Sequence, residues 1–305
     1  FYIDEDSSAT KETTATLRYQ SDTLNMWVEN KANISDRAVR EAAQELETAI
    51  VPQTRRTFGV ERQPGIDGDP RVTILHLADV GGTVAGYFSS ADAFPVAANP
   101  FSNERELLYI SLAHAPIGSD SYYQVIAHEL QHMIHWSSDG NETTWLDEGL
   151  AELSAHISGY TDQPFVAGYA AVPDTQLNNF NYDEAVFAEN YGGSFLFTAY
   201  LYDRFGEETI RAIVENPYNG TVGIDAVLAA QSADETFDDL FADWVVANYL
   251  AGRDLGGTKS KDGRVGVGTF DRDAAQIQRL LAGVGQFDEE RTVSRVGRCD
   301  LVENQ

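Results

Sequence analysis

The chain of 305 residues is poor in several features that would narrow its class at once. It has a single cysteine, Cys299, so an intrachain disulfide is excluded and no second thiolate is present to build a sulfur-rich metal site. A lone thiol near the end of a chain reads as inert. No run of about eighteen apolar residues occurs, which argues against a membrane span. Lysine is scarce: Lys11, Lys31, Lys259 and Lys261 are the only lysines among 21 basic residues, which face 48 acidic ones. The resulting net charge of −27 and pI of about 4.3 make nucleic acid a poor partner, because such a surface repels phosphate.

The acidic residues are spread over the whole length rather than gathered in a tail. They read as a solvated shell whose self-repulsion salt would screen, so adaptation to high salt is expected. The chain opens at Phe1 without an initiator methionine or a charged-then-apolar leader, and so reads as trimmed or mature. An extracellular, monomeric protein is the expectation. An alternative reading as a surface-layer or adhesion module draws on the extended C-terminal stretch, and it does not compete with an enzyme domain upstream.

Periodicity outlines the elements. Residues 14–30 alternate on either side of Ser21-Asp22, as in a β-hairpin or two edge strands. Ser35 reads as an N-cap for an amphipathic helix from Asp36 to about Arg56. Val72–Leu77 is an apolar, branched run expected of a strand covered on both faces, and 84–89 and 106–112 read as further strands. Ser121 with Gln124 predicts a capping box for the next helix. Beyond Trp136 the pattern becomes mainly helical, with helices expected from Thr144 to about His156, over 191–205, 207–215, 222–231, 236–250 and 272–283. The division predicted is an α/β lobe over 1–137, a mainly helical lobe over 138–285 and an extended segment over 286–305. Asp67 and Asp69 flank Gly68 in a pattern far short of a full calcium loop. An acidic turn is preferred there, with Ca2+ as a secondary cofactor candidate.

The stretch that carries chemistry is His128-Glu129-Leu130-Gln131-His132. On a helix, positions i and i+4 share a face, so both imidazoles can reach one metal while Glu129 sits beside the metal-bound water. Two histidines leave a hydrolytic Zn2+ one protein ligand short. Glu148, sixteen residues after His132 on a second predicted helix, is the candidate. Glu152 falls one turn later on the same face, where it would either compete for the metal or hydrogen-bond a ligand histidine. His135 lies too far along the axis from His128 to share an ion with it, and His76 and His114 read as structural. His156, eight residues beyond Glu148, is a further candidate for a supporting role at the site.

The blocks HELQHMIHW and TWLDEGLAELSA resemble the gluzincin metallopeptidases, in particular the hyicolysin-type peptidases. In the aminopeptidase branch of that clan a Trp-Leu-Asn-Glu-Gly segment provides the third zinc ligand. The match here, with Asp147 in place of asparagine and a shorter interval from His132, assigns that role to Glu148 and leaves Glu152 in support. The same branch has a tyrosine opening a helix that ends in Gly-Glu-Glu; Tyr191 stands at that distance from Gly206-Glu207-Glu208 and is thereby implied as the oxyanion donor. The resemblance implies an α+β, thermolysin-like zincin with a mixed sheet and active-site helix, a helical lobe and a cleft between them. It also implies a zinc peptidase acting on polypeptides, with Glu129 as general base. No Gly-X-Met-Glu-Asn segment for a free amino end occurs, so endopeptidase action is favoured over the alternatives, an aminopeptidase or a catalytically silent peptidase-like binding protein. An extended substrate is expected to pair with a sheet edge at Ala85–Ser89.

Overall fold

A computed structural model describes residues 1–5, 9–160, 164–183, 185–251 and 298–299. Two antiparallel pairs open the chain: β1 (Tyr2–Glu5) with β2 (Ala9–Glu12), and β3 (Ala15–Gln20) with β4 (Leu24–Glu29). The second is the hairpin expected around Ser21-Asp22. Ser21 closes it, its hydroxyl accepting from the amides of Thr23 and Leu24 at 3.1 Å each.

The expected amphipathic helix runs from α1 (Asp36–Glu45) through a π-type turn (Leu46–Ile50) into α2 (Val51–Phe58). Ser35 caps it, accepting from Ala38 N at 3.1 Å. Pro52 has no amide with which to continue the ladder, and the wider turn lies immediately before it.

β5 (Val72–Leu77) is buried at every position, as its unbroken apolar run requires. It lies parallel to β4 on one side and to β7 (Leu107–Ser111) on the other, and β6 (Val84–Phe88) runs antiparallel to β7. With the two-residue β8 (Arg298–Cys299) alongside β6, the sheet order is β3-β4-β5-β7-β6-β8. The helix α3 (Asp120–Ser138) packs on α2, β6 and β7, and Tyr122 and every residue from Gln124 to His135 are buried.

The cap of α3 is Ser119 rather than Ser121. Pro116 and Gly118, the latter at φ +80°, make a turn that brings Ser119 N to Pro116 O at 3.0 Å, and Ser119 Oγ accepts from Tyr122 N at 3.2 Å. Ser121 stands beside the cap, its hydroxyl 2.9 Å from that of Ser119.

The chain groups into two units: Phe1–Gly140 with Ala151–Asp162 and Ser294–Gln305, and Asn141–Leu150 with Gln163–Val293. The first division falls at Gly140, slightly beyond the expected Ser137. The helix α4 (Thr144–Ile157) belongs to both units, its second half grouping with the first. Ser154 explains that grouping: its hydroxyl donates to Ala127 O in α3 at 2.7 Å and lies 3.2 Å from Thr54 Oγ1 in α2.

The second unit is helical where described: α5 (Pro164–Ala171), α6 (Phe187–Phe205), α7 (Glu207–Val214), α8 (Gly220–Ala230) and α9 (Phe237–Ala251). Its core includes Trp145, Phe197 and Trp244, with Phe197 edge-on to Trp244 at 5.5 Å and to Trp145 at 5.8 Å. The chain is thus α+β, with a mixed sheet in the first unit. Among the described residues no helix is long and apolar enough to cross a membrane. The helix expected over 272–283, and the 286–305 segment apart from Arg298–Cys299, lie outside the described residues.

Candidate metal centre

Helical spacing places His128 and His132 one turn apart on α3. Their Nε2 atoms are 2.9 Å apart, and the rings are inclined at 75° with centroids 4.7 Å apart. Glu148 on α4 completes a buried group: one ligand atom from each of His128, His132 and Glu148 lies within 4.8 Å of the others. A tetrahedral zinc with bonds of about 2.0–2.1 Å sets its ligand atoms roughly 3.3 Å apart, so the group is of the right size to hold such an ion. Two nitrogens and one carboxylate are also a donor set that leaves a coordination position open for water.

Burial supports the same reading. Glu148 is 0 % exposed, Glu129 1 % and Glu152 4 %. Carboxylates withdrawn from water to this degree are costly unless charge or hydrogen bonds offset them, and a divalent cation supplies that charge.

Each acid has a distinct attachment. Glu152 Oε1 lies 3.1 Å from His128 Nδ1. A carboxylate there accepts a hydrogen bond from Nδ1–H, which favours the tautomer whose lone pair is on Nε2. Glu129 Oε2 accepts from the amide of Phe88 at 2.9 Å, so the end of β6 holds the carboxylate next to His128. Glu148 Oε1 accepts from the hydroxyl of Tyr182 at 2.8 Å.

Gly149, next to Glu148, accounts for the glycine of the motif. A Cβ there would stand 2.7 Å from Ser194 O and 2.9 Å from Thr198 Cγ2 of α6, and Thr198 Oγ1 donates to Gly149 O at 2.7 Å. The absent side chain lets α4 and α6 approach.

The other candidates have surroundings of their own. Tyr191 lies in the second turn of α6, which begins at Phe187 rather than at Tyr191 itself. Its ring stacks on Phe165 at 4.8 Å and meets Phe180 at 5.1 Å and Phe187 at 6.1 Å edge-on. His156 sits one turn beyond Glu152, with burial lowering its pKa. His135 is buried, its Nδ1 3.4 Å from Gln131 Nε2. Asp67 Oδ1 accepts from Asp69 N, and Asp69 accepts from Asn25 Nδ2 at 2.9 Å and pairs with Arg71 at 3.0 Å, an acidic turn closed by an arginine.

The edge expected to receive substrate is not open along its length. Val84 and Gly86 are paired with Arg298 and Cys299, and the Phe88 amide is taken by Glu129. Beyond it, a cavity of about 450 Å³ is lined by Ser89, Ser90, Phe94 and Phe101 among others.

Tyr182 is the residue that sequence reasoning missed. It belongs to a polar loop, Asn181-Tyr182-Asp183, without helical or strand periodicity, and no spacing links it to the metal motif. No family model matches the chain, and no curated protein matches it either.

Proposed function

We propose that this protein is a zinc-dependent metallopeptidase of the gluzincin type, with a thermolysin-like arrangement, that hydrolyses peptide bonds within polypeptides outside the cell. The observation that carries the reading is the buried His128, His132 and Glu148 group with Glu129 adjacent to the first ligand.

His128, His132 and Glu148 would hold the ion, which when bound acidifies a water molecule and polarises the scissile carbonyl. Glu129, steadied by the Phe88 amide, accepts the proton from that water and delivers it to the leaving nitrogen. Glu152 keeps His128 in the tautomer that binds metal. Tyr191 is the oxyanion donor that the family resemblance implies.

Hydrolysis of casein and of an N-blocked internal peptide, with and without a chelator, tests the reading. Wild type should cleave both, lose activity on chelation and recover it with zinc. Glu129→Gln should retain metal and lose about 10²–10⁴-fold in turnover. Failure of the zinc-loaded wild type to cleave any peptide overturns the function, and undiminished turnover in E129Q overturns the mechanism. Cleavage confined to substrates with a free amino end would make the enzyme an aminopeptidase instead.

A further inference from the structure

We infer that Tyr182 is the positioning residue of the metal centre, its hydroxyl orienting the carboxylate of Glu148 from a strap of chain that Asn190 and the ring of Tyr191 hold in place. The inference rests on the reading of His128, His132 and Glu148 as a metal site.

Glu148 is wholly buried, and its Oε1 accepts from the Tyr182 hydroxyl at 2.8 Å. Carboxylates rotate about their last bond. A donor fixed on one oxygen removes that freedom and presents the other oxygen to an ion.

Tyr182 reaches Glu148 from the connection between α5 and α6, where no ladder of backbone bonds holds the chain. Side chains replace the ladder. Asn190, 6 % exposed, donates through Nδ2 to Asn181 O at 3.1 Å and to Val186 O at 2.9 Å. Asn181 Oδ1 accepts from Asp183 N at 2.9 Å, and Asp183 O accepts from both Val186 N and Phe187 N at 2.9 Å. The backbone on both sides of Tyr182 is therefore tied to the first turn of α6.

Rings complete the attachment. Phe180 lies edge-on to Tyr182 and to Tyr191, each at 5.1 Å, and Tyr191 is itself stacked on Phe165. The ring of Tyr191 thus seats Phe180, and through it Tyr182. Glu148, Tyr182 and Asn190 all lie in one compact unit, so the linkage is internal to it.

The test is zinc affinity of the full chain, measured by competition with a chromophoric chelator, together with the visible spectrum of the cobalt-loaded protein and the melting temperature of the metal-free protein. Tyr182→Phe keeps the ring and removes the hydroxyl. It should weaken zinc binding about 10- to 100-fold and shift the cobalt bands, with the metal-free melting temperature unchanged. Glu148→Gln is the control for the underlying reading: wild-type affinity in that variant would refute the metal site itself. With E148Q weakened, wild-type affinity and spectrum in Y182F would overturn the role of Tyr182. So would a weakening in Y182F matched by lost metal-free stability.

Discussion

Glu152 stands 3.1 Å from Nδ1 of His128, one helical turn after Glu148 on the same helix. On the proposed reading, one segment therefore brings both a ligand and the group that orients a ligand on another helix. Glu152→Gln should lower zinc affinity about 10- to 100-fold, since a neutral amide holds the imidazole less firmly than a carboxylate. Chelator competition measures this, and an unchanged constant would reduce Glu152 to a packing role.

Gly149→Ala should destabilise the protein by about 1–3 kcal/mol, because the new methyl meets the Ser194 carbonyl at 2.7 Å. The neighbour is backbone and cannot rotate away. Urea unfolding of the metal-free protein would reveal the loss, and a midpoint equal to that of wild type would mean that α4 and α6 separate at no cost.

How much of this was legible in the sequence depended on the kind of signal. The strand β5 and the amphipathic run from Asp36 are written in local periodicity, and the His128–His132 spacing places two ligands by helical geometry alone. The sheet order is not local: that β7 lies between β5 and β6 depends on pairing between strands far apart in the chain, which no single strand encodes. The helix α5 went unread because PFVAGYAA is apolar nearly throughout and has no polar face to set a period. The polar alternation of β1 and β2 was too short to register. Tyr182 was invisible because its position comes from Asn190 and Phe180 acting together, not from its own segment.

His76 makes a pH-dependent contribution. Its Nδ1 donates to Trp27 O and its Nε2 accepts from the Tyr122 hydroxyl, both at 2.8 Å, and burial pushes its pKa down to about 4. An unfolded histidine titrates near 6.5, so this contribution is complete above that pH and is lost as pH falls from about 6.5 to about 4, by roughly 3 kcal/mol. His76→Gln should be less stable than wild type at pH 7 yet lose less on acidification. Unfolding curves at pH 7 and pH 4.5 would check it, and parallel losses in the two proteins would exclude His76 as the source.

The charge of −27 predicts a salt response. The melting temperature should climb as sodium chloride is raised from about 0.1 M to about 2 M, as screening relieves repulsion among the acidic groups. A melting temperature independent of salt would remove the high-salt reading.

The central claim is that His128, His132 and Glu148 bind one catalytic zinc. Anomalous scattering at the zinc edge from crystals of the zinc-loaded protein tests it most directly. The account predicts one dominant peak bounded by the Nε2 atoms of His128 and His132 and the carboxylate of Glu148. A stoichiometric zinc found elsewhere, with these three side chains bearing no peak, would contradict it.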